Sequence, residues 1–475
     1  MTTLHQRPPR RVERDSMGEL EVPEGAYYGA STMRAVQNFP ISDLRFNRNF
    51  IRALGLIKRA AALVNQDMGL LDDRRAQAVA SAAQEVADGA FDDQFVVDIF
   101  QTGSGTSTNM NANEVIANRA IEILGDPFGS RGVHPNDHVN IGQSSNDVIP
   151  TAIHLAALLE IANTLTPALE QLSASLHSKA DELMPIIKTG RTHLQDATPI
   201  RLGQEFLGFA GQIERALSRV RYAQEELSDV ALGGTAVGTG INMPRGFPDR
   251  VCAYVNEATG LSLRETENHF QAQSTLDGCV AASGVMNTIA VSLMKIANDL
   301  RWMGSGPRAG IGEIDLPAVQ PGSSIMPGKV NPVIPESVCQ VAAQVMGNHT
   351  TVTVAGQSGN FEINVMMPVV AYNLLQSINL LGKAAKNLDE QCIRGIVATS
   401  HGPAMIEQGL MLGTALAPVV GYDTAADIAK EAAKSNRTIR EVAREKTSLT
   451  EDDLNRILDP APMTEPGFEG AGGGG

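Results

Sequence analysis

One stretch of the sequence decides the fold class of this chain: Met286-Asn-Thr-Ile-Ala-Val-Ser-Leu-Met-Lys-Ile-Ala-Asn-Asp-Leu-Arg-Trp-Met-Gly304. Its large apolar residues recur at alternating steps of three and four, which places them on one face of an α-helix, and Gly304 is a typical helix stop. Residues 206–227 and 165–183 show the same period, although Pro167 predicts a kink or a new helix start in the second. Apolar stripes of about 20 residues are typical of the long helices of a bundle. We therefore predict a mainly α fold.

Composition indicates a folded globular protein and argues against several partners. At 475 residues the chain is too long for one simple core, so two to four folding units are expected. The content of 43% hydrophobic and 19% charged residues is not that of a disordered chain. A formal net charge of −15 argues against nucleic acid or an anionic membrane as the main partner. An anionic substrate would need a local field from a lysine, hydroxyls, amides and helix N-termini.

The cysteine spacing, the apolar runs and the terminal segments indicate in which compartment the protein is expected. The four cysteines form no Cys-x-x-Cys, so we expect free thiols in a reducing cytoplasm rather than an iron–sulfur cluster. No apolar run reaches about 18 residues, and no membrane span is expected. Residues 1–14 lack the apolar core of a secretory signal and do not make a convincing transit peptide. The glycine-rich residues 467–475 are expected to be disordered.

Polar, glycine-rich segments lie between the apolar stripes, and we expect them to interrupt helices and to carry binding groups. Three familiar motifs are incomplete. Residues 103–105 lack the third glycine of a dinucleotide fingerprint, and residues 233–238 have the glycine spacing of a P-loop without its Lys-Ser/Thr. Residues 356–360 just miss Gly-x-Ser-x-Gly. His134 and His138 resemble a metal pair, but Pro135 disfavours a helical turn there, and we expect no metal site. The segments comprise residues 103–113, 131–147, 189–199, 233–240 and 321–336.

The segment at residues 321–336 has the composition of a catalytic loop. Two adjacent hydroxyls, Ser323 and Ser324, precede Lys329 and Asn331 within nine residues. The lysine can hold a carboxylate as a compact charge, and the amide can donate a hydrogen bond. A serine between a glycine and a second serine can face several backbone N–H groups, which favour its alkoxide form. That form is what a serine needs to act as a base.

A second segment supplies the histidine with a plausible acid–base setting. His193 follows Gly190-Arg-Thr and precedes Leu-Gln-Asp196, so its neighbours are polar and a glycine is close. Histidine exchanges a proton near neutral pH. We therefore consider His193 a candidate acid, whereas the remaining histidines have no such surroundings.

These residues also carry a resemblance to a known family. Gly322-Ser-Ser-Ile-Met-Pro-Gly-Lys-Val-Asn331 resembles the signature of the fumarase/aspartase superfamily, which includes the argininosuccinate and adenylosuccinate lyases. The resemblance extends over nearly the whole chain. Further matches to the family occur, in the family's order, at residues 11–18, 103–106, 134–137, 143–147, 190–193, 233–240 and 421–423.

The resemblance implies a three-domain architecture. The domains would be an N-terminal lyase domain at residues 1–143, a central bundle of long helices at 144–401, and a small helical C-terminal domain at 402–475 with the glycine-rich tail. The family also implies a homotetramer whose bundles form a 20-helix core. Each active site would then be built from loops of three subunits, so the tetramer would be needed for activity.

The resemblance further implies the role of each site residue. Ser323 resembles the base that removes a proton from C3 of malate, and His193 the acid that protonates the departing hydroxide through a water polarised by Glu336. No metal or organic cofactor is implied. The substrate-binding groups would be Ser104, Gly105, Thr106, Ser144, Ser145, Asn146, Thr192, Ser324, Lys329, Val330 and Asn331. A second, peripheral dicarboxylate site would comprise Arg131, His134, Pro135, Asn136 and Asp137.

Two features favour a class II fumarase within this superfamily. His193 stands where aspartases have glutamine, and Ser144-Ser-Asn146 resembles fumarases rather than the Ser-Thr-Asn of aspartases. We therefore expect a cytoplasmic fumarate hydratase of the tricarboxylic acid cycle that interconverts fumarate and L-malate. An aspartate ammonia-lyase and an inactive structural homologue remain as alternatives. Departures from the usual pattern at residues 30–33 and 141–142 leave room for an altered substrate preference.

Overall fold

The structure, a computed structural model, describes residues 9–467. These residues are mainly helical, and the β-structure among them consists of two-stranded sheets. The expectation of a disordered tail falls, from residue 468 onward, outside the described residues. The helices are α1 Ala30–Asn38, α2 Arg48–Asp67, α3 Asp73–Asp88, α4 Thr106–Ile123, α5 Ser145–Glu160, α6 Thr166–Leu183, α7 Leu202–Ser228, α8 Phe247–Thr259, α9 His269–Ser274, α10 Asp277–Met303, α11 Val333–Gly356, α12 Met367–Gln391, α13 His401–Ala404, α14 Ala417–Val420, α15 Tyr422–Ser435, α16 Ile439–Lys446 and α17 Glu451–Ile457.

Among the described residues, five sheets accompany the helices, four of them antiparallel and one parallel. The pairs are β1 with β2, β3 with β4, β5 with β6, β7 with β10, and β8 with β9. The strands are β1 Arg10–Asp15, β2 Gly18–Pro23, β3 Ile187–Thr192, β4 Gln195–Arg201, β5 Asp229–Val230, β6 Arg264–Glu265, β7 Ile314–Asp315, β8 Gly359–Asn360, β9 Ile363–Asn364 and β10 Val397–Ala398.

The long helices predicted from the apolar stripes are confirmed. The stripe at 286–303 lies in α10, which ends at Met303 immediately before Gly304, and the stripe at 206–227 lies in α7. Pro167 is the second residue of α6, and a π-helical turn at Ile161–Leu165 precedes it. The helix continues through this turn from Ser145 to Leu183, so the alternative of a new helix start at Pro167 is wrong. The proline instead follows a π-helical turn, an irregularity that commonly accompanies a kink.

The polar, glycine-rich segments interrupt helices less than the composition predicted, and that expectation was partly wrong. Helix α4 already begins at Thr106, and α5 begins at Ser145. Residues 135–139 form a π-helical turn, and residues 189–199 lie mostly in the β3–β4 hairpin. Serine, threonine and asparagine are poor in helix interiors but are favoured at helix N-termini, so a polar segment can contain a helix start.

The internal contacts divide the chain into two compact units. Unit 1 takes its described residues from Met1–Pro167, Ala216–Ala290 and Val341–Lys383. Unit 2 takes them from Ala168–Arg215, Val291–Gln340 and Ala384–Gly475. The domain boundaries at residues 143 and 401 come from the family resemblance and stay a prediction.

In unit 1 the helix α2 lies at the centre of the packing and contacts α3, α5 and α8. Its side chains Phe50, Leu54 and Ile57 are buried, as its amphipathic sequence dictates. Two polar residues of the same helix, Lys58 and Asn65, are also buried, and Lys58 is the one that can carry a charge. Apolar burial holds the helix in place, and the buried lysine requires a separate explanation.

In unit 2 the C-terminal helices form a small core of their own. Ile428, Val442 and Leu454 are fully buried in it, one each from α15, α16 and α17. Two of these short helices begin with a capping box, in which the residue before the helix and the third helical residue exchange hydrogen bonds. Thr438 and Glu441 form it at α16, and Thr450 and Asp453 form it at α17. Such caps support helices that are too short to be stable alone.

No segment apolar enough to span a membrane was expected from the sequence, but two helices meet that criterion by length and composition. Ser145–Leu183 and Asp277–Met303 are long and apolar enough to cross a membrane, because alanine between the large apolar residues keeps their mean hydropathy high without an unbroken run of large apolar residues. The bent pair His401–Gln408 and Leu410–Val420 also passes as one broken span. The most apolar windows of the first two are 78% and 50% buried inside the protein, so they serve substantially as core.

The cysteines are free thiols, as predicted. Cys252, Cys279 and Cys392 are buried, and burial raises the pKa of each to about 12. Cys339 is partly exposed. Raised pKa values keep the three buried thiols protonated and unreactive at neutral pH.

The C-terminal core of unit 2 can be tested with one truncation. Ile428→Ala should destabilise this region by about 2–5 kcal/mol, because it leaves a cavity at a fully buried position. Hydrogen exchange of residues 412–458 is the measurement, since it reports local stability. The control is Val419→Ala, whose side chain is 55% exposed on α14. Equal protection in both variants would show that this core does not stabilise the region.

Candidate functional site

In unit 1 the segment at residues 102–107 forms the tight entry to α4. Gly105 precedes the helix with a φ of 72°, and the backbone N–H of Ser107 donates to Thr102 Oγ1 at 3.1 Å. The hydroxyls of Ser104 and Thr106 are hydrogen-bonded to each other at 2.8 Å. The turn therefore places two hydroxyls and a helix N-terminus, which carries a partial positive charge, side by side.

The predicted carboxylate-binding segment Ser144–Asn146 forms the N-terminus of α5. Ser144 caps the helix by accepting a hydrogen bond from the N–H of Asn146 at 3.2 Å. The amide of Asn146 donates to the carbonyl of Ala236 at 2.7 Å. All three residues are partly exposed, so the hydroxyls and the helix N-terminus are accessible. Such a helix end is suited to binding a carboxylate.

A buried carboxylate fixes this helix end to the glycine-rich segment at residues 233–240. Asp147 is fully buried and accepts the backbone N–H of Ser144 at 2.9 Å. Its other oxygen accepts the N–H groups of Gly233 at 3.0 Å and Thr235 at 2.9 Å. Burial raises the pKa of Asp147, and the three donors oppose that shift. The segment thus serves as a partner of α5, a role that the sequence analysis did not assign.

Lys58 approaches the same segment from α2. Its Nζ donates to Asn140 Oδ1 at 2.8 Å and to Gln143 Oε1 at 3.0 Å. Burial lowers the pKa of Lys58 to about 7, and the charge of Asp147 acts against this shift. A lysine that connects to residues next to Ser144 has a structural link to the candidate site.

The predicted second dicarboxylate site forms an exposed turn, also in unit 1. His134 Nδ1 accepts the backbone N–H groups of Asn136 at 3.3 Å and Asp137 at 3.2 Å, and it lies 3.2 Å from Asp137 Oδ2. Pro135 begins the π-helical turn. Arg131 is exposed and donates to the carbonyl of Arg14 at 3.2 Å. The five predicted residues are thus neighbours in one partly to fully exposed turn.

In unit 2 the candidate acid His193 lies at the tip of the β3–β4 hairpin. His193 and Leu194 form the two-residue loop between the paired residues Thr192 and Gln195, and both have a φ of 58°. Hairpin turns of this kind need positive φ at both central residues, and a leucine rarely adopts it. Both side chains are exposed. An unfavourable backbone conformation held at an exposed tip is typical of a functional position.

The base of this hairpin is fastened by a buried ion cluster. Glu313 accepts from Arg191 at 2.8 Å and pairs with Lys188 at 2.7 Å, and Lys188 also binds Glu205 at 2.9 Å. Glu313 and Lys188 are almost fully buried. Gly190 lies between the two cations, and a Cβ there would come 2.7 Å from the carbonyl of Thr198. The cluster therefore fixes the strand that leads to His193.

The candidate base Ser323 lies in a loop whose backbone points N–H groups at its hydroxyl. Ser323 Oγ accepts the N–H of Ile325 at 3.2 Å and that of Met326 at 2.9 Å. Two such donors stabilise negative charge on the oxygen. Ser323 is only partly exposed, whereas Ile325 is 83% exposed. The loop thus directs two N–H donors at the serine oxygen, while the side chain of Ile325 is exposed to solvent.

The same loop holds its lysine and amide together. Lys329 Nζ donates to Asn331 Oδ1 at 2.6 Å, and the amide of Asn331 donates to the carbonyl of Gly322 at 2.6 Å. The N–H of Gly322 donates to the carbonyl of Lys329 at 2.8 Å, and a Cβ on Gly322 would come within 2.5 Å of that oxygen. A side chain at position 322 would therefore open the loop. The ammonium keeps donors available for a ligand.

The remaining predicted residues of unit 2 lie near these features without joining them. Thr192 is the last residue of β3, and Ser324 and Val330 are exposed in the serine loop. Glu336 is in the first turn of α11. No hydrogen bond within residues 9–467 joins His193 to the serine loop or to Glu336. The structure therefore places the serine, lysine and amide together, and the histidine on a separate hairpin.

Metal ligands do not cluster in the described part of the chain. No group of three or more histidine, cysteine, aspartate or glutamate side chains within residues 9–467 is arranged to hold a metal ion. His138, one member of the motif considered in the sequence, instead accepts the backbone N–H of His134 at 2.8 Å.

Three buried groups near the site were not predicted: Lys58, Asp147 and Glu313. The first had a recognisable signal, because Lys58 lies four residues after Leu54 on the apolar face of an amphipathic helix. Asp147 also had one, since it follows Ser144 by three residues, the spacing of a capping box. Glu313 had none, because its partners are more than 100 residues away in the sequence.

Comparison with known families covers most of the chain. The family model described as Lyase matches residues 18–347, and the model described as Fumarase C C-terminus matches residues 412–465. The fumarate hydratase class II of Halobacterium salinarum is 53% identical over 459 residues, which are 96% of this chain and 98% of that protein. The mitochondrial fumarate hydratase of Homo sapiens is 51% identical over 460 residues, 96% of this chain and 90% of that protein.

Solved structures agree with these matches. The recombinant class II fumarase from Schistosoma mansoni superposes with a TM-score of 0.94 at 38% identity, covering 96% of this chain and 100% of that chain. A fumarate lyase:delta crystallin from Brucella melitensis, in a crystal structure bound to cobalt, gives a TM-score of 0.92 at 48% identity with the same coverage. The predicted fold class is thereby confirmed.

The buried lysine predicts a pH dependence of stability. Burial lowers the pKa of Lys58 from 10.5 to about 7, so between these values the unfolded chain holds more protons at this position than the folded one. The contribution of Lys58 to the free energy of unfolding is therefore most favourable above about pH 10 and is lost as the pH falls towards 7. Lys58→Met removes this titration. The thermal midpoint of the variant minus that of the wild type should increase as the pH falls over this range, and a constant difference would contradict the pKa shift.

Proposed function

We infer that this chain, which belongs to the class II fumarate hydratase family of lyases, catalyses the reversible hydration of fumarate to L-malate. It is therefore a hydro-lyase, a carbon–oxygen lyase that adds and removes water. The observation in the structure that best supports this chemistry is the pair of backbone N–H groups that donate to Ser323 Oγ. They favour a serine oxygen that can accept a proton from carbon.

In the malate-to-fumarate direction, Ser323 acts as the base and takes the proton from C3. That proton is weakly acidic, and its removal places additional negative charge on the neighbouring carboxylate. Fixed donors must stabilise this charge as it develops. Lys329 and Asn331 lie in the same loop as the base, and their mutual hydrogen bond at 2.6 Å supports this role. The base and the charge stabilisation thus come from one segment.

The second half of the reaction is the departure of hydroxide from C2, which requires a proton. We assign it to His193, acting through a water molecule that Glu336 polarises. The exposed position of His193 at a hairpin tip, fastened through Arg191 and Glu313, supports a histidine that reaches outward from a rigid base. In the hydration direction the same groups act in reverse, with His193 accepting the proton of the attacking water.

The carboxylates of the substrate are held by hydroxyls, amides and helix ends. We assign this role to the hydroxyls of Ser104 and Thr106, to the helix end Ser144–Asn146, and to the remaining predicted residues of unit 2, Thr192, Ser324, Lys329, Val330 and Asn331. Two helix N-termini, at α4 and α5, add partial positive charge to these donors. Such a local field lets a chain with a net charge of −15 bind a dianion.

The assembly we propose is a homotetramer with a 20-helix core and active sites shared between subunits. Large apolar side chains remain exposed on long helices of the single chain, among them Val291 on α10 and Val354 on α11, at 51% and 50%. Extended apolar surface on long helices is typical of a subunit interface. The half-buried window of Asp277–Met303 has the same explanation. We place the enzyme in the cytoplasm and in the tricarboxylic acid cycle.

We propose no metal or organic cofactor for the reaction, because the protein donors above meet its needs for acid, base and charge stabilisation. The turn formed by Arg131 and residues 134–137 is proposed as a second dicarboxylate site at the surface. The exposed guanidinium of Arg131 supports this proposal, because a guanidinium binds a carboxylate through charge-assisted hydrogen bonds.

The activity itself is tested by following the ultraviolet absorbance of fumarate. Purified enzyme in a buffer without ammonium should lower the absorbance until fumarate and malate reach equilibrium. Added ammonium should leave the rate unchanged, because water is the nucleophile. A decrease that requires ammonium would instead identify an aspartate ammonia-lyase, and no decrease under either condition would favour an inactive homologue.

The assignment of the base is tested by Ser323→Ala. We expect kcat to fall by about three orders of magnitude with an unchanged thermal midpoint and assembly state, because the general base is lost while the loop's other hydrogen bonds remain. The matched control is Ser435→Ala, whose hydroxyl only bonds the carbonyl of Glu431 in its own helix at 2.7 Å. Retention of most of the activity by the Ser323 variant would overturn this role.

A further inference from the structure

Lys58 is a fully buried lysine that the reaction described above does not use. It lies in the middle of α2, between buried apolar residues on the helix face that packs into the core of unit 1. Placing an amine in such surroundings costs free energy unless polar partners receive its hydrogens. Within residues 9–467 it has no ion-pair partner in direct contact. Its position therefore depends on the two neutral side-chain oxygens that it reaches.

Those two oxygens belong to the segment that leads into α5. Lys58 Nζ lies 2.8 Å from Asn140 Oδ1 and 3.0 Å from Gln143 Oε1. The amide of Asn140 in turn donates to the backbone carbonyl of Gln143 at 3.1 Å. The lysine thus holds both ends of the turn that immediately precedes Ser144. Both protonation states of the amine carry at least two N–H groups, so both bonds persist across its titration.

The connection continues to a hydroxyl of the candidate carboxylate-binding segment. Asn140 Oδ1 also receives Asn109 Nδ2 at 3.3 Å, and the same Nδ2 donates to Ser145 Oγ at 3.1 Å. On the other side, Asp147 fixes Ser144 and the glycine-rich segment through backbone N–H groups. The helix end Ser144–Asn146 is therefore held between two fully buried polar groups, one on each side.

We propose that Lys58 is a positioning residue for substrate binding: through Asn140, Gln143 and Asn109 it sets the orientation of Ser145 and of the N-terminus of α5 toward a substrate carboxylate. This inference rests on the proposed function, because it assigns the carboxylate of a four-carbon dicarboxylate to that helix end. Lys58 does not touch the substrate. It acts through the residues that do.

The simpler alternative is that Lys58 only fills space in the core, and the two roles predict opposite effects of substitution. Methionine is close to lysine in size and shape but has no donor. Arginine keeps donors and charge but is larger. If Lys58 only fills space, Lys58→Met should be harmless and Lys58→Arg harmful. If Lys58 positions the segment, Lys58→Met should weaken substrate binding, and Lys58→Arg should weaken it less than Lys58→Met does.

The experiment measures substrate binding separately from turnover on the intact assembly. We expect Lys58→Met to raise KM for fumarate about tenfold with kcat changed much less, because the lost interaction serves the bound substrate and the transition state equally. Titration calorimetry with succinate, a dicarboxylate that cannot be dehydrated, should show the same loss of affinity. The double variant with Gln143→Leu should bind only as weakly as the weaker of the two single variants, because both changes break one network.

A second buried lysine provides the control. Lys179 of unit 2 is also almost fully buried, and its Nζ bonds Glu182 at 2.7 Å and the carbonyl of Ile396 at 2.8 Å, neither of which belongs to the α5 segment. Lys179→Met should leave KM and succinate affinity unchanged even if it lowers the thermal midpoint. An equal rise of KM in both lysine variants, or an unchanged KM in Lys58→Met, would overturn the positioning role.

The outcomes also separate this inference from the proposed function. If the wild type binds succinate but does not hydrate fumarate, the proposed reaction fails, and the effect of Lys58→Met on succinate affinity still decides the positioning role. If the wild type neither binds succinate nor hydrates fumarate, both fail together. If it hydrates fumarate without measurable succinate binding, the proposed reaction stands and the KM of Lys58→Met decides the positioning role. If hydration occurs and Lys58→Met binds succinate like the wild type, only the positioning role is overturned.

Discussion

The buried carboxylate of Asp147 is the interaction on which the candidate site of unit 1 depends. A fully buried carboxylate is tolerated only when its oxygens are satisfied, and here the backbone N–H groups of Ser144, Gly233 and Thr235 satisfy them. These bonds connect the start of α5 to a glycine-rich segment almost 90 residues later in the sequence. Lys58 supports the same helix end from α2. Both groups restrict the backbone of a segment to which we assign a substrate carboxylate.

The serine loop of unit 2 is held in one conformation mainly by its own backbone. Its N–H groups converge on Ser323 Oγ, and Gly322 allows the chain to close on the carbonyl of Lys329. The hairpin that carries His193 is held by ions instead, through Arg191 and Glu313. In both cases the candidate residue is partly or fully exposed, but only the hairpin has a buried support, in Lys188 and Glu313. Rigid support lowers the cost of holding charged groups in the orientation that the reaction needs.

Much of this protein was predictable because its signals are local or belong to the family. The period of apolar residues in α7 and α10 predicted those helices, and the loop signature together with His193 predicted the fumarase family and the hydratase activity, which the relatives confirm. The assignments of Ser323, His193, the carboxylate-binding residues and the domain boundaries stay predictions. The polar segments were predicted as loops, yet α4 and α5 begin inside them, because the same serine and threonine residues favour loops and helix caps.

The sequence by itself determined the helices, the composition of each loop and the chemical groups available, because hydrophobic period, capping residues and loop motifs act over a few neighbours. Only the tertiary structure decided which distant groups support those loops. Lys58 precedes Gln143 by 85 positions, and Arg191 precedes Glu313 by 122. No periodicity or motif spans such separations. Their pairing follows from the packing of α2 against α5 and from the burial of charged groups, which must find partners wherever the fold brings them together.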